Sequence, residues 1–124
     1  MATRVATTLV TGASARSREQ AIADALRSSL HQNGAVIAVI LEGLPDGQPI
    51  LHPSSSLLIE RIAPGCLCCT GNLVLRVTLN RLLRARPSRL LIGVASAGHL
   101  DQLRSWLGSA PYDQLLELMP DSHS

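Results

Sequence analysis

The sequence predicts an α/β fold of three layers, a mostly parallel sheet between flanking helices. Two observations carry that prediction. Apolar, β-branched runs at residues 5–10, 35–41, 57–62 and 90–94 alternate with segments whose apolar residues recur every three or four positions, as strands alternating with crossover helices do. The second run, AVIAVIL, is apolar throughout, which suits a strand covered on both faces rather than one facing water.

The elements follow in order. Residues 5–10 form a strand that ends at Thr11-Gly12, a strand-to-turn signal. Ala21, Ile22, Ala25, Leu26 and Leu30 share one helical face between residues 17 and 32, with Glu19 near the start and Asn33-Gly34 as a stop. The second strand follows directly. Residues 43–56, with three prolines and two glycines, read as a long loop in which Ile50-Leu51 packs briefly. Residues 57–62 make a third strand, broken by Pro64-Gly65. Leu75, Leu79, Leu82 and Leu83 mark a helix over 72–86 that Pro87 closes before the fourth strand. Leu100, Leu103 and Leu107 mark another helix, residues 108–111 interrupt it, and 112–119 are expected to add a last helical turn or two before a frayed tail.

With 124 residues, 46% of them apolar, the chain is expected to form one domain over 1–124. A chain of this length buries roughly two-thirds of its unfolded surface, so it needs no metal or disulfide merely to fold. The net charge of +2 and a total of two aromatic residues, Trp106 and Tyr112, supply neither the field nor the rings for nucleic-acid binding. No apolar run reaches the roughly 18 residues of a membrane span, and the start MATRVATTLVTG lacks a signal peptide. The expected location is the cytoplasm, where three cysteines stay reduced.

Those cysteines are the most specific feature. Gly65-Cys66-Leu67-Cys68-Cys69-Thr70 offers three soft donors within four residues just past the third strand, and thiolates prefer zinc and similar metals. A closed tetrahedral site takes a fourth ligand from elsewhere. Glu42, just past the second strand, is the first candidate, and His52 and His99 are others. Two plainer readings stay open: buried packing, common for free cysteine, and a redox-sensitive thiol.

The turn after the first strand, Gly12-Ala13-Ser14-Ala15-Arg16-Ser17-Arg18-Glu19, has the place and length of a phosphate-binding loop, G-x-x-x-x-G-K-[ST]. Gly12 matches. Ser17 replaces the second glycine, Arg18 the lysine and Glu19 the hydroxyl residue that would hold magnesium. All eleven basic residues are arginine, so no lysine can be recruited, and a guanidinium does not copy a compact ammonium. Gly12, Ser14, Ser17, Arg18 and Glu19 thus outline a degenerate nucleotide loop, which argues against bound GTP and magnesium. Arg76, Arg81, Arg84, Arg86 and Arg89 gather around the second long helix, where a solvated face is the plainer reading and a patch for an acidic partner or nucleic acid the sharper one.

A strand ending in such a turn, an apolar strand followed by Glu42-Gly43, and a strand leading into Gly-Cys-Leu-Cys-Cys-Thr together resemble the CobW family, P-loop GTPases that act as metallochaperones and are related to HypB and UreG. The resemblance runs from about Val5 to about Gly98 and implies a P-loop NTPase-like fold. By it, Cys66, Cys68 and Cys69 match the metal-binding CxCC, and Glu42 matches the acid of an Asn-Glu-Phe-Gly-like segment. Residues 12–19 fall on the Walker A loop, and Ile92-Gly93-Val94 falls where the family has an Ile-Glu-Thr-type stretch. The base-recognising Asn-Lys-x-Asp segment and the C-terminal domain have no counterpart, so the domain is expected to be a truncated one.

The expected function is therefore a zinc-type, metal-binding, CobW-like protein that stores, senses or hands over metal without hydrolysing GTP. Its expected partners are the ion and a client metalloprotein or full-length relative. Two alternatives stay open: a GTPase completed by a cation supplied in trans, and a ligand-free interaction module that assembles through its leucine-rich helices.

Overall fold

The computed structural model describes residues 4–27, 36–43, 48–62, 73–95, 98 and 100–123. Strands β1 (Val5–Thr11), β2 (Ile37–Glu42), β3 (Leu57–Ile62), β4 (Arg89–Val94), β5 (Leu116–Leu118) and β6 (Ser122–His123) form one sheet. Its order is β3-β2-β4-β1-β5, with β6 also on β1, and all these pairings are parallel. Helices α1 (Ala15–Leu26), α2 (Leu73–Leu83) and α3 (Leu100–Leu107) flank it. The result is a three-layer α/β fold, compatible with a P-loop NTPase-like architecture.

Alternation along the strands divides the core in two, because successive strand side chains point to opposite faces. Ile37, Val39 and Leu41 of β2 join Leu91 of β4 and Ile22 and Leu26 of α1 on one face. Ala38 and Ile40 join Leu90 and Ile92 with Leu75, Leu79 and Leu82 of α2 and Leu100, Leu103 and Leu107 of α3 on the other. Every residue of β2 is buried, as its unbroken apolar run predicts. Gly93 lets α1 approach β4: a Cβ there would lie 3.2 Å from Leu41 Cδ2 and 3.6 Å from Ile22 Cδ1.

The helix that follows β1 and the helix that follows β4 cover opposite faces of the sheet, while the two strands are neighbours. That is a topological switch point, and in open α/β sheets it places the binding crevice at the carboxyl ends of those strands.

Most element boundaries fall within a few residues of expectation. Helix α1 starts two residues early, at Ala15 behind an Ser14 cap, and the expected stop at Asn33-Gly34 lies outside the described residues. Helix α2 ends at Leu83, and Arg86 adopts φ +52°, a left-handed conformation typical just past a helix end, before Pro87. In the long connection Leu51 is buried, as expected.

The carboxyl-terminal segment is a correction. Residues 112–119, expected as helix, form a 3-10 turn at Tyr112–Gln114 followed by β5, which pairs Val5 with Leu116 and Thr7 with Leu118. Tyr112 and Leu116 are both buried and four apart, a spacing that imitates a helix. The deciding term is the open edge of β1, whose backbone groups need partners. The tail is not frayed either: Ser122–His123 pairs with Val10 and Thr11, and Arg104 Nη1 donates to Asp121 Oδ1 at 2.6 Å.

Candidate functional site

The site is built where β1 runs into α1. Ser14 caps the helix in extended conformation, and its bond with Ser17 is reciprocal: Ser17 N donates to Ser14 Oγ and Ser14 N to Ser17 Oγ, both at 3.1 Å. This is a capping box with serine in place of the usual Glu or Gln at its fourth position. Amides at a helix start can cradle an anion; here two of them are held by the chain's own hydroxyls.

Arg18, one residue further, is buried and turns back over the sheet edge. Its Nη1 donates to Gly12 O at 3.0 Å and its Nη2 to Glu42 O at 3.4 Å. Gly43, at φ +105°, takes a backbone conformation that side chains rarely adopt, while a Cβ there would meet Arg18 Nη2 only at ordinary contact distance, 3.7 Å. Glu42 is also buried, and its Oε1 accepts from Ala95 N at 2.7 Å. Arg18 and Glu42 thus lace together the carboxyl ends of β1, β2 and β4, the rim of the switch-point crevice.

Glu19 faces elsewhere. Its Oε2 accepts from Ile50 N at 2.8 Å and Leu51 N at 2.7 Å, and Arg61 Nη1 and Nη2 bond its two oxygens at 3.1 and 2.9 Å. Burial pushes this carboxyl up, but the Arg61 hydrogen bond, the Leu51 and Ile50 amides and the Arg61 charge together outweigh it, so Glu19 titrates below the ordinary carboxylate value. Chemically it is a structural clasp joining α1 to β3 and to the long connection. Arg61 carries no local signal in the sequence, since its partner lies 42 residues away.

Of the sequence-derived positions, the structure brings Gly12, Ser14, Ser17, Arg18 and Glu42 to one rim and sets Glu19 apart. His52 is exposed in the connection. Cys66, Cys68, Cys69 and His99 lie outside the described residues. Among the described residues no three His, Cys, Asp or Glu side chains gather into a metal-sized cluster, and no helix is long and apolar enough to cross a membrane. Glu42 nonetheless pairs in register with Ile62 on β3, and Gly43 N donates to Ile62 O at 2.8 Å. The cysteine run begins four residues after Ile62 in the sequence.

No family model matches the chain, and no solved structure matches it. Among curated proteins it is similar to the zinc chaperone YeiR of Escherichia coli (strain K12), 38% identical over 69 residues, which is 55% of this chain and 21% of the relative. The chain therefore spans about one fifth of the length of that relative.

Proposed function

We propose that this chain is a CobW-like zinc-binding domain that carries metal as cargo and does not hydrolyse GTP. Cys66, Cys68 and Cys69 supply thiolate ligands, and Glu42 is the carboxylate beside them. The observation that carries this reading is the register of Glu42 with Ile62: Cys66 follows Ile62 by four residues of chain and Cys68 and Cys69 by six and seven, spans of at most about 14 Å and about 25 Å, so the sequence allows all three thiols to reach the buried carboxylate. Similarity to a relative named a zinc chaperone supports zinc as the ion. The donor set fits it, since zinc takes sulfur and carboxylate oxygen together, and a ligating carboxylate is ordinarily held by a further hydrogen bond, the part Ala95 N plays for Glu42.

Thiols must lose their protons to bind zinc, so uptake releases protons and weakens as pH falls. Release to a client metalloprotein in the cytoplasm would reverse that step. Self-capping of the turn by Ser14 and Ser17, the hold of Arg18 on two carbonyls and the use of Glu19 as a clasp all support a domain that works without nucleotide chemistry.

The test is zinc content and affinity of the reduced protein beside a Cys66→Ser, Cys68→Ser, Cys69→Ser triple variant, with cobalt thiolate absorption as a second readout. Stoichiometric binding lost in the variant is expected. Equal binding by both proteins overturns the assignment.

A further inference from the structure

We propose that the outer face of α2 is a docking surface for an acidic amphipathic helix of a partner protein, independently of any metal. Helix α2 buries Leu75, Thr78, Leu79 and Leu82, yet three of the five large hydrophobic residues exposed among the described residues, Leu73, Val74 and Val77, are on its other side. A surface helix ordinarily turns charged and polar residues outward there. The stripe continues at helical spacing into Asn80, Arg81 and Arg84, and these three with Val77 line an open cavity of about 330 Å³.

Charge selects the occupant. The helix reads LVLRVTLNRLL, without an acid, and Arg84 and Arg86 follow it. Among the described residues the acid paired with it is Glu60, 3.6 Å from Arg81, whose side chain stays 60% exposed. Apolar side chains at i, i+3, i+4 and i+7 of a docked helix would cover Leu73, Val74 and Val77, the mode by which helices recognise grooves. Acids on its flank would meet Arg81 and Arg84. A second copy docked through the same stripe would bring arginines toward arginines. A membrane requires a wide apolar face lying in the interface, and α2 offers a stripe of three such residues because its other side is spent on the sheet.

The probe is a fluorescein-labelled 14-residue peptide with leucine at helical spacing and glutamate elsewhere, beside its leucine–lysine counterpart, read by anisotropy with the full chain. Saturable binding of the glutamate peptide is expected. Val77→Asp and Arg84→Glu should each weaken it about tenfold or more while melting as the wild type does, and Arg84→Glu should gain affinity for the lysine peptide. The proposal is overturned by absence of saturable binding up to about 1 mM, by equal binding of both peptides, by indifference to both substitutions, or by preference for phosphatidylserine vesicles over the peptide.

Discussion

Arg61 grips Glu19 with its two terminal guanidinium nitrogens, Nη1 on Oε1 at 3.1 Å and Nη2 on Oε2 at 2.9 Å, with the Glu19 side chain 3% and the Arg61 side chain 23% exposed. Removing one partner of a buried pair costs roughly 3–5 kcal/mol because the other charge is left unpaired. Arg61 keeps some contact with water, so Arg61→Leu is expected near the lower end, about 3 kcal/mol. Urea denaturation measures it; a loss under about 1 kcal/mol would reduce the clasp to an ordinary surface pair.

The same clasp sets an acid limit. Glu19 titrates below its ordinary value of 4.5 in the folded chain, so the folded state binds its proton less readily than the unfolded state. Its contribution is complete above that ordinary value and is lost as pH falls through the lower, folded one. Stability of the wild type should therefore fall with acidification below about 4.5 more steeply than that of Glu19→Gln, which has no such proton to bind. Parallel slopes in thermal melts across that range would show that Glu19 is not the group responsible.

Strands β2 and β4 were legible because burial on both faces leaves a nearly unbroken apolar signature, as in residues 37–41 and 90–94. Adjacent residues on α1 were not, since a phosphate-loop template treats Arg18 and Glu19 as one series. The helix instead turns one toward the carbonyls of Gly12 and Glu42 and the other toward Arg61, and consecutive helical positions do not face each other. Strand β5 escaped detection because three residues are too few for a periodicity, and what fixes them is the vacant edge of β1. Glu42 was legible as an acid at a strand end; its tie to Ala95, 53 residues on, was not.

Ser14 holds the start of α1 through Ser17. Replacing a capping serine by alanine costs about 1 kcal/mol, so Ser14→Ala should lower the melting temperature modestly without unfolding the domain. GTP with magnesium should leave the wild-type melting temperature unchanged, because a ligand stabilises only when it binds the folded state. A GTP-dependent rise that Arg18→Ala abolishes would restore the GTPase reading.

Leu116 is 2% exposed and seats β5 against β1. Leu116→Ala is expected to cost about 3 kcal/mol, within the range for truncating a buried leucine, as read by denaturant titration. A cost near zero would mean that the carboxyl-terminal strands are dispensable to the sheet.

Glu42 separates a ligand's role from a structural one, because its carboxylate already supports Ala95 N at 2.7 Å. Glutamine at this position keeps an oxygen that can accept from that amide but removes the negative charge a metal would use. Alanine removes both. If Glu42 helps to hold zinc, Glu42→Gln should retain a near-native melting temperature in the metal-free protein while losing roughly 10–100-fold in zinc affinity, the range seen when the surroundings of a metal site are altered. Glu42→Ala should lose affinity and stability together. Zinc affinity unchanged in Glu42→Gln, with stability lost in Glu42→Ala alone, would assign Glu42 to the strand ends and require the fourth ligand to come from His52, His99 or another group.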